Sequence, residues 1–586
     1  AHLARCQLDP TMPRASIETL LHAFVSAPHV DHTHPDAINA IAGAADGEAL
    51  ARACFRDEVA WIPYIRPGFT LARQVGEAIR ADDRVRVVIL AKHGLVTWGD
   101  TAEESYRATI EAINRAADFV NGRTNGSARF GGAGDGAIDD ERRGELLAEL
   151  LPAVRGAVSS ERAKVLHVDT SAPVLELVGS VRAPELVAVG AACPDHLVHT
   201  KRLPLWVAFD PARDDADALA ERIAAGAAAY RDEYRDYVER FGDATTVPAD
   251  PDPRVVLIQH VGLVSTGTNV KAARLSRDLY LRAIEVMAGA DALGGFVSLT
   301  AQESFAIEYW PLELYKLSLA PAPGELEVRV ALVTGAAGGI GRAVVSVLAD
   351  AGACIVAFDL DGDGAREVVE PLGERGLALG GDVTDEGLVA DAYAAAVERF
   401  GGVDIVVANA GLASSAPIEA TTLAEWERNH AVLGTGYFLT ARDAFRVLKR
   451  QGTGGSIVFI ASKNALVAGR NAAAYSAAKA AELHLARCLA EEGGPDGIRV
   501  NTVNPDAVLS GSRIWDSSWR EERAAAYGIA PDELEEHYRA RTTLGVNIEP
   551  DDVASAVLHF ASGARSGKST GNILNVDGGV AAAYPR

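Results

Sequence analysis

Thr334-Gly-Ala-Ala-Gly-Gly-Ile-Gly341 is a glycine-rich turn between the apolar run Val328–Val333 and a helical pattern over Gly341–Ala351. Glycine allows a tight turn and lets a pyrophosphate approach the backbone N–H groups at a helix N-terminus, where the helix dipole also favours an anion. The succession of strand, turn and helix therefore predicts a dinucleotide-binding site. The residues of the turn expected to contact the nucleotide are Gly335, Gly339, Ile340 and Gly341.

Apolar runs alternate with amphipathic helical patterns throughout the segment that contains this turn. The predicted strands are Val328–Val333, Cys354–Asp359, Val403–Ala408, Ser456–Ile460, Ile498–Val503 and Asn572–Val576. Buried strands separated by helices predict an α/β fold with a doubly wound parallel sheet, the Rossmann arrangement, over residues 327–586. A carboxylate at the end of the second strand accepts hydrogen bonds from ribose hydroxyls and repels a 2′-phosphate. Asp359 occupies that position, so NAD is favoured over NADP.

Three polar residues have the types and spacing that hydride transfer requires. Tyr475 and Lys479 are four residues apart in a predicted helix, Ala473–Glu491, so they share a face. A nearby ammonium lowers the pKa of a phenol, which makes the tyrosine a usable general acid/base. Ser462 ends a predicted strand and is placed to hold a substrate oxygen by a hydrogen bond. An exposed helix face would explain Tyr475 and Lys479 alone, but not their combination with the serine and the glycine turn.

These motifs resemble the short-chain dehydrogenase/reductase family over roughly residues 327–586. The resemblance also includes Asp382, Asn409-Ala-Gly411 and Asn504-Pro505. It implies that Asp382 contacts the adenine, that Asn409 braces the central strand, and that Tyr475 moves the proton. The further cofactor contacts that it implies are Val383, Ala410, Gly411, Tyr475, Lys479, Pro505 and Val508.

Two positions depart from the family pattern. The family's active-site asparagine, seven residues past a tryptophan such as Trp426, is Leu433 here. The glycine that usually follows Asn-Pro is Asp506. The first departure removes a polar group from the expected proton relay, while the tyrosine and the lysine remain.

A second set of residues near the start of the chain has the pattern of a metal site. His32 and His34 are two residues apart, and side chains with that spacing point the same way in a strand. His93 follows another apolar run, Val85–Leu90. Three neutral imidazoles with an open fourth position form a catalytic zinc site. The spacing alone leaves open the alternative of one core histidine and two surface histidines.

Glu18 begins a helical pattern, Glu18–Phe24, that leads into the first histidine pair. Near a metal-bound carbonyl substrate this carboxylate would take or give a proton, while at a helix N-terminus it would otherwise serve the helix dipole. The stretches Pro13–Ala23, His32–His34 and Lys92–Leu95 resemble the class II aldolase family of zinc-dependent sugar-phosphate aldolases.

The aldolase resemblance implies that His32, His34 and His93 bind the metal and that Glu18 is the catalytic acid/base. It places Ser16 at a position used for phosphate. Members of the family have further strands and a phosphate-binding loop before this point. The expectation is therefore an N-terminally incomplete aldolase segment.

The chain divides into three predicted segments: a metal-binding segment at 1–122, a middle segment at 140–318, and the dehydrogenase segment at 327–586. Val87–Gly99 aligns without gaps to Val255–Gly267, with Val261 in place of His93, and Asp31–His34 is echoed by Asp195–His199. The middle segment is either a divergent second copy of the first or a common strand–turn–helix pattern that occurs twice.

Charge and cysteine content narrow the class of partners. The 586 residues include 80 acidic and 56 basic side chains, a net charge of −24, which disfavours nucleic acid and membrane surfaces as partners. No apolar run reaches membrane-spanning length, and the first residues lack the basic-then-apolar pattern of a signal peptide, so neither a membrane span nor a secretory leader is expected. The scattered cysteines predict no disulfide framework and a reducing, cytoplasmic compartment. They are Cys6, Cys54, Cys193, Cys354 and Cys488.

The order of the segments is similar to that of bifunctional rhamnulose-1-phosphate aldolase/short-chain dehydrogenase proteins of bacterial rhamnose catabolism. That resemblance implies retro-aldol cleavage of a sugar phosphate to dihydroxyacetone phosphate and lactaldehyde, then NAD-dependent oxidation of the aldehyde or an alcohol. One alternative is a dehydrogenase whose front segments bind metal or form an oligomer without catalysis. Another is epimerisation of a pentose phosphate through a related enediolate. A homo-oligomer is expected in each case.

Overall fold

The computed structural model describes residues 9, 11–12, 16, 18–124, 126, 128–319, 322–511, 515 and 519–583. The chain forms two compact units. Unit 1 comprises Ala1–Arg143, Val168–Thr266 and Ala272–Pro321. Unit 2 comprises Gly144–His167, Gly267–Lys271 and Ala322–Arg586. None of the described helices has both the length and the apolar character that a bilayer crossing requires.

The elements before residue 320 alternate between short strands and helices of very different length. Up to residue 157 they are α1 (Thr19–Phe24), β1 (His29–Thr33), α2 (Asp36–Ala42), α3 (Gly47–Phe55), β2 (Val59–Ile62), α4 (Phe69–Ala81), β3 (Val87–Leu90), β4 (Gly94–Gly99), α5 (Ala102–Thr124) and α6 (Asp140–Ala157). After residue 157 they are β5 (Val165–Asp169), α7 (Ala172–Val178), α8 (Ala183–Val187), α9 (Leu197–Thr200), β6 (Leu205–Val207), α10 (Ala216–Phe241), β7 (Val255–Ile258), β8 (Gly262–Gly267), α11 (Val270–Ala292), α12 (Ala301–Glu308) and α13 (Pro311–Ser318).

Two four-stranded sheets in this part of the chain have the same topology. Their strand orders are β1-β4-β3-β2 and β5-β8-β7-β6. In the first sheet, β3 and β4 form an antiparallel hairpin and β2 pairs parallel with β3. In the second sheet, β7 and β8 form the hairpin and β6 pairs parallel with β7. The two sheets share one hydrophobic core. Residues that this core takes from the hairpins are Ile89, Leu95, Leu257 and Leu263.

The two hairpin turns also match in an unusual backbone feature. Lys92 and His260, which align in the sequence, both have a positive φ, 58° and 61°. That conformation is uncommon outside glycine. Each donates its N–H to the last carbonyl of a helix, Ala42 in α2 or Val178 in α7. Duplication of the first segment stays a prediction, which these shared features favour.

One expected correspondence within the proposed repeat is wrong. The sequence pairs Asp31–His34 with Asp195–His199, but the latter stretch forms no strand. It contains a 3₁₀ turn, Pro194–His196, and continues into α9. The strand that takes the place of β1 in the second sheet is β5. Local histidine spacing misleads here because strand position depends on pairing partners that are distant in sequence.

Unit 2 contains the parallel sheet. Its elements after residue 322 are β9 (Val330–Thr334), α14 (Gly339–Asp350), β10 (Cys354–Asp359), α15 (Gly362–Val369), β11 (Gly376–Gly380), α16 (Glu386–Phe400), β12 (Ile405–Ala408), α17 (Leu423–His430), α18 (Gly436–Gln451), β13 (Gly455–Ile460), α19 (Ala473–Gly493), β14 (Ile498–Pro505), α20 (Trp519–Tyr527), α21 (Leu534–Arg541), α22 (Pro550–Ala561), α23 (Gly563–Ser566) and β15 (Ile573–Val576). The seven strands lie in the order β11-β10-β9-β12-β13-β14-β15, all parallel.

The predicted doubly wound α/β sheet is confirmed, with one strand more than the sequence indicated. Each of the six predicted strands is present, and β10 has the predicted bounds. The strand that was not predicted, β11, has the sequence Gly-Leu-Ala-Leu-Gly and lies at the sheet edge. Two glycines, one alanine and no β-branched residue give this stretch a weak strand propensity, and its pairing with β10 overrides that.

Candidate active sites

A cavity of about 800 Å³ opens at the carboxyl ends of the strands in unit 2. In an open parallel sheet this edge is where ligands bind. The structure brings all the residues predicted for nucleotide contact and hydride transfer to the wall of this one cavity. They are Gly335, Gly339, Ile340, Gly341, Asp359, Asp382, Val383, Asn409, Ala410, Gly411, Ser462, Tyr475, Lys479, Pro505 and Val508.

The glycine turn owes its shape to two positions that exclude a side chain. Gly335 has a φ of +64°, and a Cβ there would lie 2.8 Å from the Cα of Ala410. A Cβ on Gly341 would lie 2.0 Å from the carbonyl oxygen of Gly335. The Asn409 side chain closes the turn from the neighbouring strand by donating to the carbonyls of Thr334, at 2.9 Å, and Gly335, at 3.0 Å. The first turn of α14 can therefore approach a ligand without side chains in between.

Asp359 is fixed at the end of β10 by two backbone N–H groups. Its Oδ2 accepts from Ala337 of the glycine turn and its Oδ1 from Asp361, both at 2.9 Å. The carboxylate thus has a set orientation on the cavity wall beside the turn. Each oxygen keeps a lone pair for a further donor, as contact with a ribose diol would require.

Tyr475 and Lys479 project from the first two turns of α19, and Ser462 follows β13. Lys479 is buried and donates to the carbonyl of Ile460 at 2.8 Å and to the hydroxyl of Tyr437 at 3.4 Å. Ser462 Oγ accepts the N–H of Asn464 at 3.2 Å, which leaves its hydroxyl proton available to a substrate oxygen. The arrangement can hold a carbonyl or alcohol oxygen beside a proton-transferring phenol.

The sequence interpretation missed Glu482, the charged partner of Lys479. Its Oε2 lies 2.9 Å from Lys479 Nζ, and its side chain is fully buried. Burial lowers the pKa of Lys479, but the attraction of Glu482 and nearby phenols outweighs it and raises that pKa. Burial raises the pKa of Glu482, while the charge of the Lys479 ammonium and its hydrogen bond oppose this and favour the carboxylate. The sequence did offer a signal for this contact. Glu482 is a carboxylate three residues past the lysine, on a helix face otherwise rich in alanine and leucine.

The three predicted metal-binding histidines converge in unit 1. One ring nitrogen from each of His32, His34 and His93 lies within 4.8 Å of the others. His32 is in β1, His34 lies one residue past the end of that strand, and His93 is in the turn between β3 and β4. A Cβ on Gly94 would lie 2.5 Å from the His34 ring, so this glycine permits the convergence.

The orientation of the imidazoles suits a metal ion. His32 donates from Nδ1 to the carbonyl of Leu95 at 2.8 Å, which turns its Nε2 toward the cluster. The Nε2 atoms of His32 and His34 are 3.2 Å apart, near the ~3.3 Å that two ligands of a tetrahedral zinc with ~2.05 Å bonds would have. Both ring nitrogens of His93 are buried without a hydrogen-bond partner among the described residues. Three converging imidazoles, one of them without any hydrogen-bond partner among the described residues, fit a zinc ion.

Glu18 lies at the edge of this cluster, immediately before α1. Its Oε1 is 3.1 Å from Nε2 of His32 and 3.9 Å from Nε2 of His93. Burial raises the pKa of Glu18, but the hydrogen bond to His32 and the electrostatic attraction of that ring outweigh this and lower it to about 2. Burial, with help from the other two imidazoles, holds the pKa of His93 well below its usual value, so that ring is neutral.

A loop of the middle segment contacts the same cluster, which the sequence interpretation did not predict. Cys193 Sγ lies 3.5 Å from Nδ1 of His34, and Asp195 Oδ2 lies 3.6 Å from the same nitrogen. These contacts join positions about 160 residues apart in the chain. The described cysteines, Cys54, Cys193, Cys354 and Cys488, are all free thiols, while Cys6 is outside the described residues.

Comparison with known families supports both halves of this arrangement. Residues 2–119 match the class II aldolase and adducin N-terminal domain. Residues 145–317 match the second domain of class II aldolases. Residues 335–581 match a family described as enoyl-(acyl carrier protein) reductase. Fold and sites together define an enzyme with class II aldolase domains and a short-chain dehydrogenase-type oxidoreductase domain.

One relative extends over the whole chain. The chain is 50% identical over 590 residues to the uncharacterized oxidoreductase YuxG of Bacillus subtilis (strain 168), covering 100% of this chain and 86% of that protein. It is 37% identical over 261 residues to D-threitol dehydrogenase of Mycolicibacterium smegmatis, covering 43% of this chain and 93% of that enzyme. It is also 35% identical over 259 residues to the L-rhamnose 1-dehydrogenase (NAD(P)(+)) of a Sphingomonas species, covering 44% and 97%. The chain belongs to the family in which class II aldolase domains precede a short-chain dehydrogenase/reductase domain.

Proposed function

We propose that the protein catalyses two consecutive reactions of sugar catabolism, each in its own unit. The first is metal-dependent retro-aldol cleavage of a ketose 1-phosphate, namely rhamnulose 1-phosphate, to dihydroxyacetone phosphate and lactaldehyde. The second is NAD-dependent oxidation of the aldehyde or of an alcohol. The observation that carries the proposal is the presence of a three-imidazole cluster with Glu18 and, separately, a Tyr475–Lys479 pair in a nucleotide-type cavity.

In the cleavage reaction, the bond between C3 and C4 of the ketose breaks. The C4 hydroxyl loses its proton to a base, the bond's electron pair passes to C3, and C3 then takes up a proton. A divalent zinc ion held by His32, His34 and His93 would supply the Lewis acid for the substrate carbonyl. Glu18 reaches to 3.1 Å from the first of these imidazoles, so it is placed to carry a proton to or from the substrate.

In the oxidation, Ser462 holds the substrate oxygen and the Tyr475 phenolate takes the hydroxyl proton. NAD bound in the cavity would supply the hydride acceptor, so that an alcohol would become a carbonyl compound. Lactaldehyde as its hydrate would become lactate by the same two transfers, with one water consumed overall. The Lys479 ammonium stabilises the phenolate by its charge. Asp359 favours NAD because its fixed carboxylate repels a 2′-phosphate.

One coupled assay tests both halves. Rhamnulose 1-phosphate and NAD are supplied to the purified protein, and dihydroxyacetone phosphate and NADH are followed separately, with and without a chelator. We expect the chelator to abolish formation of dihydroxyacetone phosphate and to leave NADH formation from added lactaldehyde intact. Cleavage that survives removal of the metal, or lactaldehyde that gives no NADH, would contradict the corresponding half.

The same assay separates the alternatives. Bound zinc without cleavage would favour a dehydrogenase with a non-catalytic front end, and epimerisation of a pentose phosphate would appear as isomer formation without dihydroxyacetone phosphate. We also propose a cytoplasmic homo-oligomer that acts on small molecules and binds neither nucleic acid nor membrane. Light scattering of the purified protein measures the oligomeric state.

A further inference from the structure

Three polar groups of the protein surround the ammonium group of Lys479. Its Nζ lies 2.8 Å from the carbonyl of Ile460, 2.9 Å from the carboxylate of Glu482 and 3.4 Å from the hydroxyl of Tyr437. An ammonium has three donors, so these acceptors account for all of them. Glu482 is the charged one among them, and it lies three residues after the lysine on the same helix.

The position where the family carries its active-site asparagine offers no polar side chain here. Leu433 lies in a π-helical turn, Ala431–Thr435, and is fully buried. Its side chain can neither donate nor accept a hydrogen bond. Leu433 therefore adds no polar contact to the site, and Glu482 on α19 is the buried carboxylate that contacts the lysine.

A buried ion pair is not explained by stability alone. Taking two charges out of water has a desolvation penalty that often equals or exceeds their mutual attraction, so apolar residues would serve packing as well. The second carboxylate oxygen, Oε1, is buried and has no hydrogen-bond partner among the described residues. A buried charge with an unpartnered oxygen, in contact with a lysine of the cavity wall, marks a candidate functional group.

We propose that Glu482 is a positioning residue of the dehydrogenase site: its carboxylate holds the Lys479 ammonium in place and, by offsetting that charge, sets the pH range in which Tyr475 exchanges a proton. The inference rests on the proposed dehydrogenase function. The titratable groups that act on the pair are Tyr475 on the same helix and Tyr437 on α18, besides the pair itself.

The charge argument fixes the sign of the effect. Removing the negative charge of Glu482 makes a phenolate easier to form at Tyr475 and makes the Lys479 ammonium easier to deprotonate. Both pKa values therefore fall, and both limbs of a bell-shaped rate profile move to lower pH. A single charge a few ångströms away at an effective dielectric constant of about 20 is expected to move them by about one pH unit or more.

The test compares Glu482→Gln, Glu482→Asp and a matched control, Glu491→Gln, which makes the same chemical change at an exposed site on the same helix. The rate of NADH formation from lactaldehyde is measured across pH. We expect Glu482→Gln to lower kcat about tenfold and shift both limbs to lower pH. Glu482→Asp keeps the charge on a shorter side chain, so it should lower kcat while both limbs of the pH–rate profile stay where they are in the wild type. The control should match the wild type.

A second readout needs neither cofactor nor turnover. The tyrosinate absorbance of each protein is titrated against that of the same protein carrying Tyr475→Phe, and the difference reports the Tyr475 phenolate. A shift to lower pH in Glu482→Gln supports the proposal, and an unchanged titration overturns it. If Glu482→Gln does not fold, the pH–rate profile of Glu482→Asp is the test. A shift of its limbs from those of the wild type would then overturn the proposal. Failure of the wild type to reduce NAD would refute the proposed function, while this titration would still test Glu482.

Discussion

Tyr475 is the residue on which the dehydrogenase proposal depends most directly. It stands one helical turn before the buried Lys479 on the wall of the nucleotide-type cavity. Tyr475→Phe removes the phenolic hydroxyl and keeps the ring. We expect kcat for NADH formation to fall by about 10²- to 10⁴-fold, the usual contribution of a general acid/base, with little change in stability. Formation of dihydroxyacetone phosphate by the same preparation is the internal control, and equal loss of both activities would contradict the assignment.

His93 tests the metal site, because its ring nitrogens are buried and lack hydrogen-bond partners in the described part of the chain. His93→Ala should reduce bound zinc, measured by elemental analysis after gel filtration, from one equivalent to a small fraction. Retro-aldol cleavage should fall with the metal content while NADH formation from lactaldehyde stays. His260→Asn is a matched control, since His260 lies in the counterpart hairpin turn of the second sheet. Full zinc content in His93→Ala would show that His93 is not a metal ligand and would contradict the three-histidine site.

Asp195 makes a subtler contribution to the same site. Its carboxylate lies 3.6 Å from Nδ1 of His34, on the side of the ring away from His32. Carboxylates that contact a ligating imidazole orient it, and their loss typically weakens metal binding by about 10- to 100-fold. We expect Asp195→Asn to weaken zinc affinity within that range, as measured by competition with a chromophoric chelator. Unchanged affinity would mean that Cys193 and the backbone orient the ring without it.

At the scale of elements, the strand–turn–helix of the nucleotide site depends on backbone conformation. Gly335 has a positive φ and its missing Cβ would lie 2.8 Å from Ala410. Gly335→Ala should destabilise unit 2 by about 1–2 kcal/mol from the backbone alone, and more from the contact. Gly338→Ala is the stability control, because φ is negative there and the nearest atom to its Cβ would be 3.5 Å away. Urea denaturation measures both, and equal destabilisation would contradict the conformational argument.

The elements also show which parts of the structure local sequence can reveal. The strands of the parallel sheet were predictable because each is a short apolar run bounded by a helical pattern, as in Cys354–Asp359. The edge strand β11 was not, since Gly-Leu-Ala-Leu-Gly has neither alternation nor β-branched residues. This strand forms because it pairs with β10, and that contact depends on the tertiary structure rather than on local sequence.

The same distinction applies to the sites. The nucleotide and histidine residues fall in motifs of fixed spacing, so the sequence predicted which residues would meet. Contacts that join distant elements left no such trace: the approach of Asp195 to His34 depends on how the middle segment folds back. Glu482 was readable in principle, as a carboxylate three residues after the lysine, but its significance depends on knowing that both are buried.

At the scale of the whole molecule, the two sites lie in separate units, so we expect that each proposed reaction can be lost without the other. His93→Ala should lose cleavage, Tyr475→Phe should lose NADH formation, and neither alone should convert rhamnulose 1-phosphate to NADH. Mixing the two purified variants should restore that conversion, because lactaldehyde is small and diffuses from one protein to the other. The mixture should show a lag that shortens as both proteins are concentrated.

The double variant His93→Ala/Tyr475→Phe is the control for this mixing experiment, and it should stay inactive at every concentration. Adding free lactaldehyde to the mixture should abolish the lag, since the second reaction then starts with substrate present. A mixture that produces dihydroxyacetone phosphate but never NADH would indicate that lactaldehyde is not the substrate of the dehydrogenase unit. The cleavage proposal would then stand, and the oxidised compound would have to be sought among other small alcohols and aldehydes.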